Sequence, residues 1–240
     1  MRILYIFPHP DDESFGPARG IAAQVRQGHE VRLLTLTKGG ATKVRHTLGL
    51  SVEAMGEVRH KEMLEVERTL GLAGMTVLNL PDSGLKEMDP REIEHPIAEH
   101  IERVRPDVVV TYAVHGISGF HDHLVGHAAV KRVFAEMKAD GASYLKRLAF
   151  YTISEEEAQN ASASGWHHLN GSKEDEIDCI IATTPEDKER ALAALDCYVT
   201  YQETIKKSGI RDSFDTNVSY EFYREDFTPP VADICEGLSA

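Results

Sequence analysis

The sequence is short of cysteine, has one tryptophan, carries no long apolar run and has no surplus of basic charge, and each shortage excludes something. Cys179, Cys197 and Cys235 are odd in number and widely spaced, which indicates neither a disulfide framework nor a cysteine zinc cluster and fits a reducing cytoplasm. The opening MRILYIFPHPDDE holds a short apolar run that stops at two prolines and three acids, with no small-residue cleavage site. No stretch approaches the roughly twenty apolar residues of a spanning helix, so neither secretion nor a membrane crossing is expected. With 26 basic against 39 acidic residues the formal net charge is -13, and no basic stripe offsets it. Phosphate backbones would be repelled, which removes nucleic acid as a partner. No Gly-x-Gly-x-x-Gly fingerprint follows the first apolar run, so a nicotinamide cofactor is not indicated.

What is present is an alternation of short β-rich runs with longer helical stretches. Strands are expected at Ile3 to Phe7, Glu30 to Thr37, Thr76 to Leu80, Asp107 to Tyr112, Arg147 to Ile153 and Asp178 to Ala182. Helices are expected at Ser14 to Gln27, Val52 to Leu70, Pro90 to Arg105, Leu124 to Lys138 and Pro185 to Tyr201. Lys38 to Thr42 reads as a glycine-containing loop, and Ala158 to Asp175, rich in Ser, Asn, Gly and charge, as another. The order predicts an α/β fold of Rossmann-like type: a three-layer open sheet, mostly parallel, with helices on both faces and one domain over residues 1–240. In such sheets ligands bind beyond the carboxyl ends of the strands, so chemistry is expected just after the first and fourth.

The unusual residues fall there. The first strand runs into His9-Pro10-Asp11-Asp12-Glu13, one imidazole and three carboxylates in a single turn. Their mutual repulsion is relieved by a divalent cation, and His9 and Asp12, three apart, are a suitable ligand pair for zinc with a position open to water. Asp11 between them would point elsewhere, within reach of a proton on that water. Helix capping by these acids is the plainer alternative. After the fourth strand the segment TYAVHGISGFHDHLVGH places His115, His121, Asp122, His123 and His127 within thirteen residues. His123 is the candidate third ligand; His127 reads as a helix-face histidine, and His115 is open between loop and site.

Together the two segments resemble the PIG-L/LmbE-like family of zinc-dependent N-deacetylases. PHPDDE matches that family's leading motif residue by residue, and the likeness continues through LTKGG, EVRHKE, NLPDSGL, the histidine segment and KERALAALDCY. The resemblance implies His9, Asp12 and His123 as metal ligands, Asp11 as general base, and Arg59 and Asp82 as substrate contacts. In the family's second motif, His-Pro-Asp-His, the aligned residues here are Phe120, His121, Asp122 and His123. Asp122 and His123 match, and Asp122 is carried over as a catalytic residue. Phe120 replaces the histidine assigned to oxyanion or acid duty; His121 or His115 could stand in for it, or the metal could carry the oxyanion alone.

The implied activity is metal-dependent removal of an N-acetyl group from an N-acetylglucosamine-type amino sugar or conjugate. A small-molecule substrate is thus the expected partner, with Zn2+ or another divalent metal as cofactor and a homo-oligomer left open. The rivals are an amidase of a larger thiol or lipid conjugate and a non-catalytic metal or sugar binding protein, against which Asp11 speaks because pure binding needs no base. Glu13 is open between orienting His9 and favouring a helix start. Lys188 and Tyr198 are read as structural. Trp166, beside His167 and His168, is read as pinning its loop, with stacking on a sugar ring the alternative.

Overall fold

A computed structural model describes residues 1–163, 169–214 and 217–239. The strands are β1 (Arg2–Phe7), β2 (Glu30–Thr37), β3 (Gly74–Leu80), β4 (Val108–Tyr112), β5 (Arg147–Thr152), β6 (Cys179–Ala182) and β7 (Asn217–Phe222). The helices are α1 (Asp12–Phe15), α2 (Ala18–Arg26), α3 (Val44–Thr47), α4 (Val52–Leu70), α5 (Pro90–Val104), α6 (His121–Ala139), α7 (Glu155–Ala163), α8 (Pro185–Cys197) and α9 (Gln202–Ser208). One sheet in the order β3-β2-β1-β4-β5-β7-β6 carries them. The first five strands are parallel, and β7 runs antiparallel to both β5 and β6.

Alternation within each central strand feeds two cores. Ile3, Tyr5 and Phe7 of β1 join Val31, Leu33, Val108 and Val110 on one face, covered by Ile21 of α2, Met63 and Val66 of α4, and Leu195 of α8. Leu4 and Ile6 join Leu34, Leu36 and Val109 on the other, covered by Ile93, Ile97 and Ile101 of α5 and by Val130, Val133 and Phe134 of α6. With both faces buried, these strands have no use for a polar side, which is why they read as continuous apolar runs.

Local signals set the covering helices. Ser51 caps α4 by accepting from the Ala54 amide at 3.1 Å, and Gly71 at φ 70 ends it. Thr184 and Asp187 form a capping box around Pro185 at the start of α8.

Four expectations are corrected. The helix expected at Ser14 to Gln27 breaks between α1 and α2, because Pro17 cannot donate an amide and Gly16 is where the Tyr151 ring presses in; a Cβ there would lie 2.5 Å from Tyr151 Cε1. The helix α6 begins at His121 rather than Leu124, its polar first turn carrying Asp122 at the positive end of the helix dipole. The helix α8 ends at Cys197, short of Tyr201, and a 3-10 turn at Val199–Tyr201 follows. The segment read as a loop from Ala158 is helical up to Ala163 in α7. Trp166, His167 and His168 lie outside the described residues. Among the described residues no helix is long and apolar enough to cross a membrane.

The sheet order reverses between β1 and β4, where β1 pairs with β2 on one side and β4 on the other. Loops leaving these two strands diverge to opposite faces and open a crevice at their carboxyl ends. The loop after β2 closes one side of it, with Gly40 packed so tightly that a Cβ would lie 2.1 Å from the Val52 carbonyl oxygen. Gly40→Ala is therefore expected to cost about 2 kcal/mol or more, read as a lower urea midpoint at unchanged slope.

Candidate active site

The crevice collects side chains from five places in the chain. His9 follows β1, its amide donating to Asp12 Oδ2 at 2.8 Å. Its Nδ1 lies 3.6 Å from the same oxygen, while Nε2 lies 3.1 Å from Asp122 Oδ2 and 3.5 Å from Asp82 Oδ1. His123, in the first turn of α6, donates from Nδ1 to the Gly116 carbonyl at 2.9 Å, since a carbonyl only accepts. That leaves Nε2 as the ligating atom, 3.2 Å from Asp12 Oδ1. Gly116 is needed for this: its φ is 63, and a Cβ would stand 2.8 Å from His123 Cβ. Asp82 Oδ2 accepts from the Ala41 amide at 2.6 Å and so ties the loop after β3 to the glycine loop after β2.

Asp11 sits at φ 84, a left-handed conformation that costs a non-glycine residue about 1–3 kcal/mol and persists only where neighbours over-determine it. Two clamps do so. Arg59 Nη2 donates to the Pro10 carbonyl at 3.0 Å and to Asp11 Oδ2 at 2.6 Å. Its guanidinium lies 4.1 Å from the Tyr201 ring centroid. The second clamp is Tyr198, whose hydroxyl accepts from the Asp11 amide at 2.8 Å and donates to Glu13 Oε1 at 2.7 Å. Burial pushes the Asp11 carboxyl up, and the Arg59 charge pulls against it. Burial likewise pushes Glu13 up to about 7, partly offset by its hydroxyl donors Ser14 and Tyr198.

The cluster has the chemistry of a cation site. Burial alone would push the His9 imidazole down, yet Asp12 and Asp122, helped by Asp82, outweigh it and hold the ring up at about 10, so that a proton balances the acids. Asp122 is fully buried, and its Oδ1 has no hydrogen-bond partner among the described residues. Ligand atoms of His9, Asp12 and His123 all lie within 4.8 Å of one another, as do those of an overlapping set, His9, Asp82 and Asp122. One imidazole shared by two carboxylate-bearing sets, in a buried crevice, fits a divalent metal of the zinc kind.

The remaining sequence candidates separate. His121 opens α6 exposed and makes none of the described polar contacts of the cluster. His115 turns away: Nδ1 accepts from the Ile117 amide at 3.1 Å, and Nε2 faces Ser172 Oγ at 3.2 Å and Thr152 Oγ1 at 3.4 Å. Nδ1 thus braces its own loop while Nε2 ties that loop to Thr152 of β5 and to Ser172, which in turn donates to Glu221 of β7. Both ring nitrogens of His115 are therefore engaged away from the His9 cluster. His127, read as a helix-face histidine, is buried, donates from Nδ1 to the Tyr112 carbonyl at 2.8 Å and packs on Phe150. Phe120, 44 % exposed, sets its edge against the rings of His9 at 5.4 Å and His123 at 5.9 Å. Arg59 is only 2 % exposed and reaches the crevice through Asp11, so the structure joins it to that carboxyl and not to an open binding surface.

Two residues escaped sequence reading. Tyr112, the last residue of β4, donates to Asp12 Oδ1 at 2.9 Å and stacks on His123 at 4.3 Å. Tyr198 was read as structural, yet it holds the Asp11 amide across 187 residues of sequence. The signal for Tyr112 was its place at the end of a buried strand entering the crevice; for Tyr198 no local signal exists.

A doubly wound sheet with a His-Asp-His donor set and a clamped carboxyl at its switch point defines a candidate metal-dependent hydrolytic centre. Residues 4–134 match the profile of the PIG-L family, described as GlcNAc-PI de-N-acetylase, and the chain belongs to that family. It is 32 % identical over 168 residues to a 1D-myo-inositol 2-acetamido-2-deoxy-alpha-D-glucopyranoside deacetylase of Kineococcus radiotolerans, covering 59 % of this chain and 46 % of that protein. It is 30 % identical over 162 residues to a mycothiol S-conjugate amidase of Streptomyces coelicolor, covering 60 % and 55 %. The chain spans about half the length of these curated relatives. A deacetylase of teicoplanin biosynthesis shares the fold at a TM-score of 0.72 and 18 % identity, over 94 % of this chain and 99 % of that one.

Replacing Tyr198 by Phe leaves the Asp11 amide without its partner and Glu13 Oε1 with Ser14 as its remaining hydroxyl donor. The expected loss is about 1–3 kcal/mol of stability with metal stoichiometry unchanged, checked by urea unfolding and metal analysis of the same preparation.

Proposed function

We propose that the chain is a single LmbE-like domain that hydrolyses the N-acetyl amide of an N-acetylglucosamine-type amino sugar or conjugate, with zinc held by His9, Asp12 and His123. The observation that carries this reading is the left-handed Asp11 carboxyl, clamped beside a three-donor set that fits a divalent cation. Membership of the family and the names of its relatives support the substrate class.

A divalent metal in this set supplies Lewis-acid polarisation of the acyl carbonyl and a more acidic water. Asp11 takes the proton of the attacking water as the new C–O bond forms. As the C–N bond breaks, the same carboxyl returns the proton to the departing amine, so acetate and free amine leave and Asp11 is regenerated. Arg59 fixes the carboxyl's direction and Tyr198 fixes its backbone. Asp122 orients His9 through Nε2, and Tyr112 holds Asp12. Phe120 offers no proton at the position where the family motif has histidine, and His115 is committed elsewhere; we assign the proton shuttle to Asp11 alone. Asp82 braces the wall through which the sugar enters, its Oδ2 on the Ala41 amide. A reducing cytoplasm is the compartment this reading favours, in keeping with three free cysteines.

The test is release of acetate and amine from a panel of N-acetylglucosamine conjugates, with one thiol-conjugate amide included, by zinc-loaded, chelator-stripped, Asp11→Asn and Asp12→Ala protein. Asp11→Asn should keep its metal and lose about 100-fold or more in turnover, since an amide cannot take a proton. Asp12→Ala should lose the metal itself. Unchanged turnover in Asp11→Asn would remove the base, and cleavage of the thiol conjugate alone would move the activity to an amidase.

A further inference from the structure

At the opposite end of the sheet a second set of donors converges. His29 occupies the turn between α2 and β2, and Asp233 and Cys235 belong to the segment after β7. Their ligand atoms lie within 4.8 Å of one another, with His29 Nε2 3.6 Å from Asp233 Oδ2. Cys235 is 7 % exposed, and its thiol has no hydrogen-bond partner among the described residues. The backbone around these donors is independently fixed. Val231 exchanges bonds with Asp178 and Ile180 at 2.9 Å, Arg147 Nη1 donates to the carbonyls of Ile234 and Glu236, and the Cys235 amide donates to Asp233 Oδ1 at 2.7 Å. The Glu30 amide donates to the Met1 carbonyl, which puts His29 at the amino end of β1, about 20 Å from the crevice by the length of a six-residue strand.

We propose that His29, Asp233 and Cys235 form a second metal site, selective for a thiophilic divalent ion such as zinc, that staples the C-terminal segment to the start of β2. A buried thiol without a partner, facing an imidazole and a carboxylate, is a mixed S, N, O set suited to zinc or cobalt and unsuited to magnesium or calcium. Binding forms a metal–sulfur bond and releases the Cys235 thiol proton to solvent, with water completing the coordination. No redox step is involved. The site lies at the opposite end of the strands from Asp11, so its effect is on stability.

The catalytic set contains no sulfur, and that difference supplies the experiment. Cobalt(II) is titrated into the chelator-treated chain while absorbance and bound metal are followed. Two equivalents are expected, one of them bringing a near-ultraviolet thiolate-to-cobalt charge-transfer band. Cys235→Ser and His29→Ala should each lose that band and one equivalent while keeping the other; Asp12→Ala should keep the band. Zinc should raise the thermal midpoint of Asp12→Ala protein and leave that of an Asp12→Ala, His29→Ala double variant unmoved. A wild-type chain that shows no sulfur-derived band, or a band that survives in Cys235→Ser, overturns the proposal. If Cys235→Ser fails to fold, His29→Ala, which leaves the thiol in place on a half-buried turn, decides the matter.

Discussion

Everything at the crevice depends on three carboxylates, Asp12, Asp82 and Asp122, being held around one imidazole with little exposure to water. Such a concentration of negative charge is costly in a low-dielectric setting unless a cation shares it. The fold meets the cost by geometry: a chain reversal between β1 and β4 brings two loops together from opposite faces, one supplying His9 and Asp12 and the other Asp122 and His123. Neither loop alone has enough ligands. The helices carry the consequences outward, since Arg59 must cross from α4 to reach Asp11 and Tyr198 must reach it from the end of α8.

Much of this was legible in the sequence because the signals are local. The strand β2 and the helix α4 span the expected residues, one from an unbroken β-rich run and the other from a Ser51 cap, a 3.6-residue apolar period and a Gly71 stop. The segment PHPDDE stood out by density of charge and His123 by its place beyond the fourth strand, and the structure brings the side chains of His9, Asp12 and His123 together. What failed was whatever depends on distance in sequence. The Gly16-Pro17 break answers to Tyr151, more than a hundred residues away. The strand β7 went unread, although Val218, Tyr220 and Phe222 alternate into the core, because a single short strand with no helix after it among the described residues completes no β-α repeat.

The histidine cluster shows the same limit from the other side. Composition marks His115, His121, His123 and His127 equally, and it is the hydrogen bond of one ring nitrogen that separates them. His123 is turned inward by the Gly116 carbonyl, His127 is tied to the Tyr112 carbonyl, and His115 is spent on Ser172. A carbonyl oxygen seven or fifteen residues away thus separates candidate ligand from filler, and no count of histidines contains that information.

The Tyr198 clamp has a further consequence. The stretch matched to the family, residues 4–134, contains every proposed donor to the metal, yet the hydroxyl that holds the Asp11 amide arrives from the remainder. During synthesis the donors and the acid emerge first, while the left-handed backbone at Asp11 gains its second clamp only after α8 has docked against α2 and α4. The proposed nucleophile-activating group is therefore assembled late, and a nascent or truncated chain that has gathered its ligands would remain chemically silent until the distal part of the fold closes over it.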